Sequence, residues 1–117
     1  MDIKRIDPAE ARELLDSGEG YTYLDVRSEE EFSQGHVPGS VNIPVATRNP
    51  MGPGLVPNPE FASQVEEQFK KDSRIITACL RGGRSLKAAM MLIGGGYTEV
   101  VDMQGGYDAE LDAFGNV

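Results

Sequence analysis

Cys79 is the only cysteine among 117 residues, and it stands where the apolar run Ile75-Ile76-Thr77-Ala78 gives way to Leu80-Arg81-Gly82-Gly83-Arg84-Ser85. A lone thiol forms no internal disulfide and no zinc site built from cysteines alone. Two uses remain, nucleophile or buried packing group, and a free cysteine behind an apolar run is ordinarily buried. The residues that follow favour chemistry. Gly82 and Gly83 let the backbone curl without a Cβ clash, and curled backbone turns successive amide N–H groups inward. A helix opening near Arg84 or Ser85 would add its own unpaired amides and the positive end of its dipole. A free thiol with a pKa of about 8.5 is only a few per cent ionised at neutral pH, so a nucleophilic cysteine needs surroundings of this kind. Arg84 at a helix start opposes the dipole and so calls for an anion facing it. Arg81 either projects into water or touches that anion. Asp25 and Arg27 close a second apolar run and could reach the same edge as Cys79. Arg27 is then either a pocket cation or half of an internal ion pair, for instance with Glu31 four residues on. The ion pair is favoured because the guanidinium fork matches a carboxylate.

The elements that must position these residues alternate between short apolar runs and helical patterns, the signature of an α/β domain with a largely parallel sheet. Ile3 to Ile6 reads as a first strand. Asp7-Pro8-Ala9-Glu10 opens a helix with a capping box and proline at its first position, Leu14 and Leu15 face the core, and Gly18 ends it. Tyr21 to Val26 is a strand, and Ser28-Glu29-Glu30-Glu31 repeats the capping-box pattern, its carboxylates reading as a solvated helix start. Val41-Asn42-Ile43 is so short that it needs neighbours on both sides, and Pro44 closes it. Val45 to Pro57, with Pro50, Gly52, Pro53, Gly54 and Pro57, reads as a long loop, either an active-site wall or a surface excursion. Asn58-Pro59-Glu60 starts a helix with Phe61, Val65 and Phe69 at four-residue spacing. Arg74 to Ala78 is the central buried strand, Ser85 to Ile93 a helix with Met90 and Met91 in the core, and Glu99 to Asp102 the last strand. Gly94-Gly95-Gly96 follows a helix and precedes a strand, the wrong order for a dinucleotide loop.

Composition sets the outer bounds. The length suits a single domain over residues 1–117 with one core. A net charge of -8 speaks against nucleic acid and anionic membrane as partners. The first residues carry no apolar signal core, and no run approaches a membrane span, so a cytoplasmic protein with a reduced thiol is expected. Nothing in the chain calls for a metal or cofactor.

At Cys79-Leu80-Arg81-Gly82-Gly83-Arg84-Ser85 the sequence resembles the active-site loop of the rhodanese sulfurtransferases. Leu24-Asp25-Val26-Arg27, Glu31-Phe32 and the stretch Gly35-His36-Val37-Pro38-Gly39-Ser40-Val41-Asn42-Ile43-Pro44 are similar to the family's upstream signatures, and Gly105-Gly106-Tyr107 to its late turn. The long loop and the Phe61 helix look like the plant-type and bacterial single-domain subgroup. The resemblance implies a three-layer α/β fold, a mostly parallel central sheet flanked by helices. It implies further that Cys79 carries sulfane sulfur as a persulfide, taken from a small-molecule donor such as thiosulfate and passed to cyanide, a small thiol or a protein thiol. Leu80, Arg81, Gly82, Gly83, Arg84 and Ser85 would bind the substrate, with Arg81 and Arg84 attracting the anionic donor. His36, the only histidine, is structural by the same resemblance. Many members carry a tryptophan soon after the late Gly-Gly, whereas this chain has none. Two rivals stand beside this reading. One is a non-catalytic rhodanese-like binding module, and the other a dual-specificity-type phosphatase, whose loop holds five residues between Cys and Arg where this chain has Leu80, Arg81, Gly82 and Gly83.

Overall fold

Turn residues bound each short apolar run, and the runs pair side by side as strands in the computed structural model, which describes residues 3–79 and 83–104. In chain order the elements are β1 (Arg5–Ile6), α1 (Pro8–Asp16), β2 (Thr22–Asp25), α2 (Glu29–Gln34), β3 (Val41–Asn42), β4 (Ala46–Arg48), β5 (Leu55–Pro57), α3 (Phe61–Gln68), β6 (Arg74–Ala78), α4 (Gly83–Gly94) and β7 (Glu99–Met103). Five strands form a wholly parallel sheet in the order β1-β7-β6-β2-β3. Parallel neighbours need crossovers, and the intervening helices supply them and cover both faces.

Strand alternation sorts the core into two layers. Leu24 and Ile75 turn to one face and pack with Phe61 and Val65 of α3 and with Ala88, Ala89 and Leu92 of α4. Tyr23, Ile76 and Ala78 turn to the other and meet Ala11, Leu14 and Leu15 of α1. The result is the expected three-layer α/β arrangement. β6 lies in the middle of the sheet, and Ile75, Ile76, Thr77 and Ala78 are inaccessible to solvent. Burying each of the two isoleucine side chains stabilises the fold by about 1.5–3 kcal/mol before conformational entropy is charged against it.

The two capping boxes read from the sequence are built as expected. Asp7 accepts from the Glu10 amide at 2.8 Å and the Glu10 side chain reaches back to the Asp7 amide, with Pro8 at the first turn. Ser28 and Glu31 form the second reciprocal box.

Three expectations are corrected. β3 has one neighbour, β2, at the edge of the sheet, rather than two. It holds because Asn42 Nδ2 also donates to the carbonyls of Asp25 and Arg27 at 3.0 and 2.9 Å, bonds a short edge strand otherwise lacks. The stretch Val45 to Pro57 is an antiparallel ribbon, β4 with β5, rather than a featureless loop. Its prolines sit at the tip and the end, Gly54 turns the tip with φ of +88°, and Asn49 accepts the Met51 amide at 2.9 Å. Asn58 ties the ribbon's base by its amide to Val45 and its side chain to Pro44 and Gln64. Met90 and Met91 lie on the open side of α4, 53% and 44% exposed, rather than in the core. The buried stripe of that helix is Ser85, Ala88, Ala89 and Leu92, spaced i, i+3, i+4, i+7, and neither methionine falls on it.

Candidate active site

Cys79 is the first residue beyond β6, at the carboxyl edge of the sheet, where open parallel sheets present their ligand sites. Its side chain is 2% exposed and forms no disulfide. The chain returns at α4 four residues later, and the Ser85 amide in the first turn of that helix donates to Cys79 Sγ at 3.2 Å. Sulfur thus lies against the amide-rich start of a helix of 12 residues, whose dipole favours negative charge there. Gly83, Arg84 and Ser85 belong to α4, and Gly83 has open space around it. Leu80, Arg81 and Gly82 lie outside the described residues, as do Gly105, Gly106 and Tyr107.

Arg84 does face an anion, and the anion is internal. Its Nη1 and Nη2 donate to Glu31 Oε1 and Oε2 at 2.7 and 3.0 Å. Glu31 is therefore not part of a solvated helix start. The Arg84 guanidinium, helped by hydrogen bonds from Ser28 and opposed by partial burial, holds its carboxyl down at about 2. The Arg84 guanidinium is in turn held protonated more firmly than usual, chiefly by Glu31, with smaller contributions from the negative charge available at Cys79 and Asp25. The fork of the cation is thus bound to a carboxylate 53 positions away in the chain.

Asp25 and Arg27 form their own pair beneath the same edge. Arg27 Nη2 lies 2.7 Å from Asp25 Oδ2 and donates also to the Gly35 carbonyl at 2.7 Å, and the Arg27 amide donates to Asp25 Oδ1 at 3.0 Å. The two side chains are 3% and 1% exposed, so they sit inside the wall of the site. Glu31, the partner suggested by spacing, belongs to Arg84 instead. His36 stacks on Phe32 with ring centroids 3.7 Å apart and its Nδ1 lies 2.7 Å from the Phe32 carbonyl, closing the end of α2.

One group beside the site went unread in the sequence. Asp102, near the end of β7, is fully buried on the α4 side of the sheet. It accepts from Arg5 Nε at 3.0 Å and from Thr77 Oγ1 at 3.0 Å. Burial pushes its carboxyl above the ordinary range, against the pull of Ser85, Thr77 and Arg5. Only the pairing register could have revealed it, by setting Asp102 opposite Thr77 and Arg5.

An apolar cleft of about 230 Å³ opens between the ribbon and α4, with Val45, Leu55, Val56, Arg84, Lys87 and Met91 on its walls. A polar depression of about 280 Å³ beside α2 is lined by Ser28, Glu29, Glu30, Thr47 and Arg48, none of them a site residue read from the sequence. Among the described residues no cluster of side chains is arranged to hold a metal ion, and no helix is long and apolar enough to cross a membrane.

With that geometry in place, the relatives of the chain become informative. The family model described as Rhodanese-like domain matches residues 7–112. Thiosulfate sulfurtransferase 16, chloroplastic, of Arabidopsis thaliana is 47% identical over 90 residues, 77% of this chain and 73% of that protein. Protein HIGH ARSENIC CONTENT 1, mitochondrial, from the same plant is 42% identical over 112 residues, 96% of this chain but 64% of that protein, so the chain spans under two thirds of the relative's length. Both names place these relatives in organelles, which gives the cytoplasmic expectation no support. Among solved structures, the rhodanese-like domain of an Anabaena protein superposes with a TM-score of 0.76 at 22% identity, covering 98% of this chain and 76% of that one, a likeness of fold.

Proposed function

The chain belongs to the rhodanese-like domain family, and from that membership we propose that it is a sulfurtransferase whose Cys79 carries sulfur as a persulfide. The observation that carries the reading is the sulfur's position. The chain's only thiol stands past the central strand and receives the Ser85 amide at 3.2 Å from the start of α4, with the Arg84 charge beside it.

In the first half-reaction the Cys79 thiolate attacks the outer sulfur of thiosulfate. A bond forms between the two sulfurs, the bond from the outer sulfur to the sulfonate sulfur breaks, and sulfite leaves with the electron pair. The Ser85 amide and the dipole of α4 stabilise negative charge on the attacking sulfur and on the resulting persulfide. In the second half-reaction cyanide, a small thiol or a protein thiol attacks the terminal sulfur and Cys79 leaves as thiolate. No second cysteine is present to resolve the persulfide, so the acceptor comes from outside. The apolar cleft beside Arg84 is the approach that an organic acceptor would use. A reducing compartment such as the cytoplasm, which keeps the thiol free, suits this cycle.

Intact-mass spectrometry after exposure to thiosulfate tests the proposal. The protein should gain one sulfur atom that cyanide removes as thiocyanate, and Cys79→Ser should gain none. An unchanged mass with an alkylatable Cys79 would overturn it in favour of a binding module, and Cys79-dependent hydrolysis of an aryl phosphate would overturn it in favour of a phosphatase.

A further inference from the structure

We propose that Lys87 is a specificity-determining residue for the sulfur acceptor: it binds the carboxylate of a small organic thiol whose apolar chain lies in the cleft between the ribbon and α4. The proposal deepens the sulfurtransferase reading and rests on Cys79 carrying the persulfide.

Arg84, Lys87 and Met91 follow one another at spacings of three and four, so they form a single stripe of α4 beside the buried stripe of that helix. All three line the cleft, and Leu55 and Val56 of β5 line it from the ribbon. The stripe starts at the sulfur, because the residue after Arg84 is Ser85, whose amide donates to Cys79 Sγ at 3.2 Å. At about 1.5 Å of rise per residue, Lys87 stands about 4.5 Å and Met91 about 10 Å further along the helix axis than Arg84. Leu55 and Met91 are 45% and 44% exposed, so both sides of the cleft offer open apolar surface. Its volume of about 230 Å³ equals roughly eight waters at ~30 Å³ each, enough for a chain of about six carbons and too small for a drug-sized ligand.

The polar groups on the cleft walls differ in what they have left to offer. Arg84 donates from both Nη atoms to Glu31 at 2.7 and 3.0 Å, and the Asn58 side-chain nitrogen is taken by the Pro44 carbonyl and by Gln64. Lys87 is exposed, and among the described residues it has neither a carboxylate partner nor a hydrogen bond. An open ammonium beside apolar surface suits a molecule with an apolar body and one anionic end, and it repels an amine at the same place. It also gives such a molecule a local attraction that the net charge of -8 opposes elsewhere. In the transfer step the acceptor thiolate attacks the outer sulfur of the Cys79 persulfide. A bond forms between those two sulfurs, the bond from the outer sulfur to Sγ breaks, and its electron pair returns to Sγ. The acceptor departs as an organic persulfide that keeps the outer sulfur's proton. Lys87 makes and breaks no bond in this step; it selects which thiol is held for attack.

The test compares two acceptors of equal chain length, mercaptohexanoate and mercaptohexanol with the thiol at the far end of each, by kcat/KM for transfer from thiosulfate-loaded protein. The wild type should favour the carboxylate about fivefold, the size of one partly exposed ion pair, and high salt should remove the preference. Lys87→Gln should bring the ratio to about one, and Lys87→Arg should keep it. The ratio isolates the cleft, because any change in loading enters both rates alike. A wild-type ratio near one, or a fivefold ratio that survives in Lys87→Gln, would overturn the proposal. So would a cysteine in an acidic peptide that outcompetes mercaptohexanoate, which would make the occupant a protein segment, or self-association that buries Met91, which would make it a second copy of the chain. Heptanoate, which has no thiol, probes binding on the resting protein. It should shift the Met91 methyl resonance, with half-saturation at about fivefold higher concentration in Lys87→Gln, whereas a Met91 signal that ignores heptanoate sinks the idea. That measurement needs no persulfide. Failure of thiosulfate to load the wild type would therefore strike the sulfurtransferase reading, and heptanoate would still decide whether the cleft takes a carboxylate at Lys87.

Discussion

Two arginine–carboxylate pairs stand near the Cys79 edge, and they differ in reach and in burial. Asp25 and Arg27 are two residues apart, 1% and 3% exposed, and the pair fixes the turn in which β2 ends. Glu31 and Arg84 are 53 residues apart, about a quarter exposed, and join the start of α2 to the start of α4. The local pair shapes one wall of the site. The distant pair sets two helices against each other, and the helix that meets the sulfur is one of them. Deep burial makes the first pair costly to break, whereas topology gives the second its influence on chemistry.

The largest effect should come from leaving half of the local pair unpaired. Arg27→Ala or Asp25→Asn leaves a buried group without its counter-charge and should cost about 3–5 kcal/mol, read as a fall in the midpoint of urea unfolding. A double replacement, Asp25→Leu with Arg27→Met, should cost less than either single change, because two apolar side chains need no partner. Additive losses in the double variant would mean that the pair is not the unit that matters, and the contrast with Glu31 and Arg84 would collapse.

Glu31→Gln comes next, with a loss of about 1–2 kcal/mol at neutral pH after allowance for solvent screening of a quarter-exposed pair. Acid distinguishes this pair. The Glu31 carboxyl titrates at about 2 in the folded chain against an ordinary 4.5, so the folded chain takes up its proton later than the unfolded chain as pH falls. Its stabilisation is fully present above 4.5 and is lost as pH drops from there towards 2. The difference in unfolding free energy between wild type and Glu31→Gln should therefore shrink over that window, followed by urea titrations at stepped pH. A constant difference would show that Glu31 contributes through its helix cap alone. Sulfur loading of Cys79 should slow in the same variant, since α4 loses the tether at Arg84.

The difference between the pairs also explains what was legible in the sequence. Capping boxes at Asp7 and Ser28 and the buried run before Cys79 are patterns of three or four neighbouring residues, and each is where the chain predicted it. Glu31 read as surface because its partner lies 53 positions on, and Asp102 went unread because Arg5 lies 97 positions back. Such contacts exist only once β1, β7 and β6 are in register. Met90 and Met91 misled for a different reason. α4 is apolar on more than one side, so periodicity alone could not tell the stripe of Ser85, Ala88, Ala89 and Leu92 from the methionines beside it. The ribbon of β4 and β5 was hidden by its prolines, which end strands as readily as they interrupt them.

The smallest effect should be found one residue from Glu31. Glu30 pairs with Arg48 of β4 at 3.2 Å, a contact much like that of Glu31 on paper, but the two side chains are 66% and 78% exposed. Water screens both charges, and holding two long side chains together costs rotamer freedom that the weak attraction barely offsets. Glu30→Ala and Arg48→Ala should each change stability by less than about 0.5 kcal/mol, and high salt should erase even that. Sulfur loading of Cys79 should stay at the wild-type level in both. A loss above about 1 kcal/mol would mean that the ribbon depends on this contact for its place beside α2, and that burial is the wrong measure by which to rank the carboxylates of that helix.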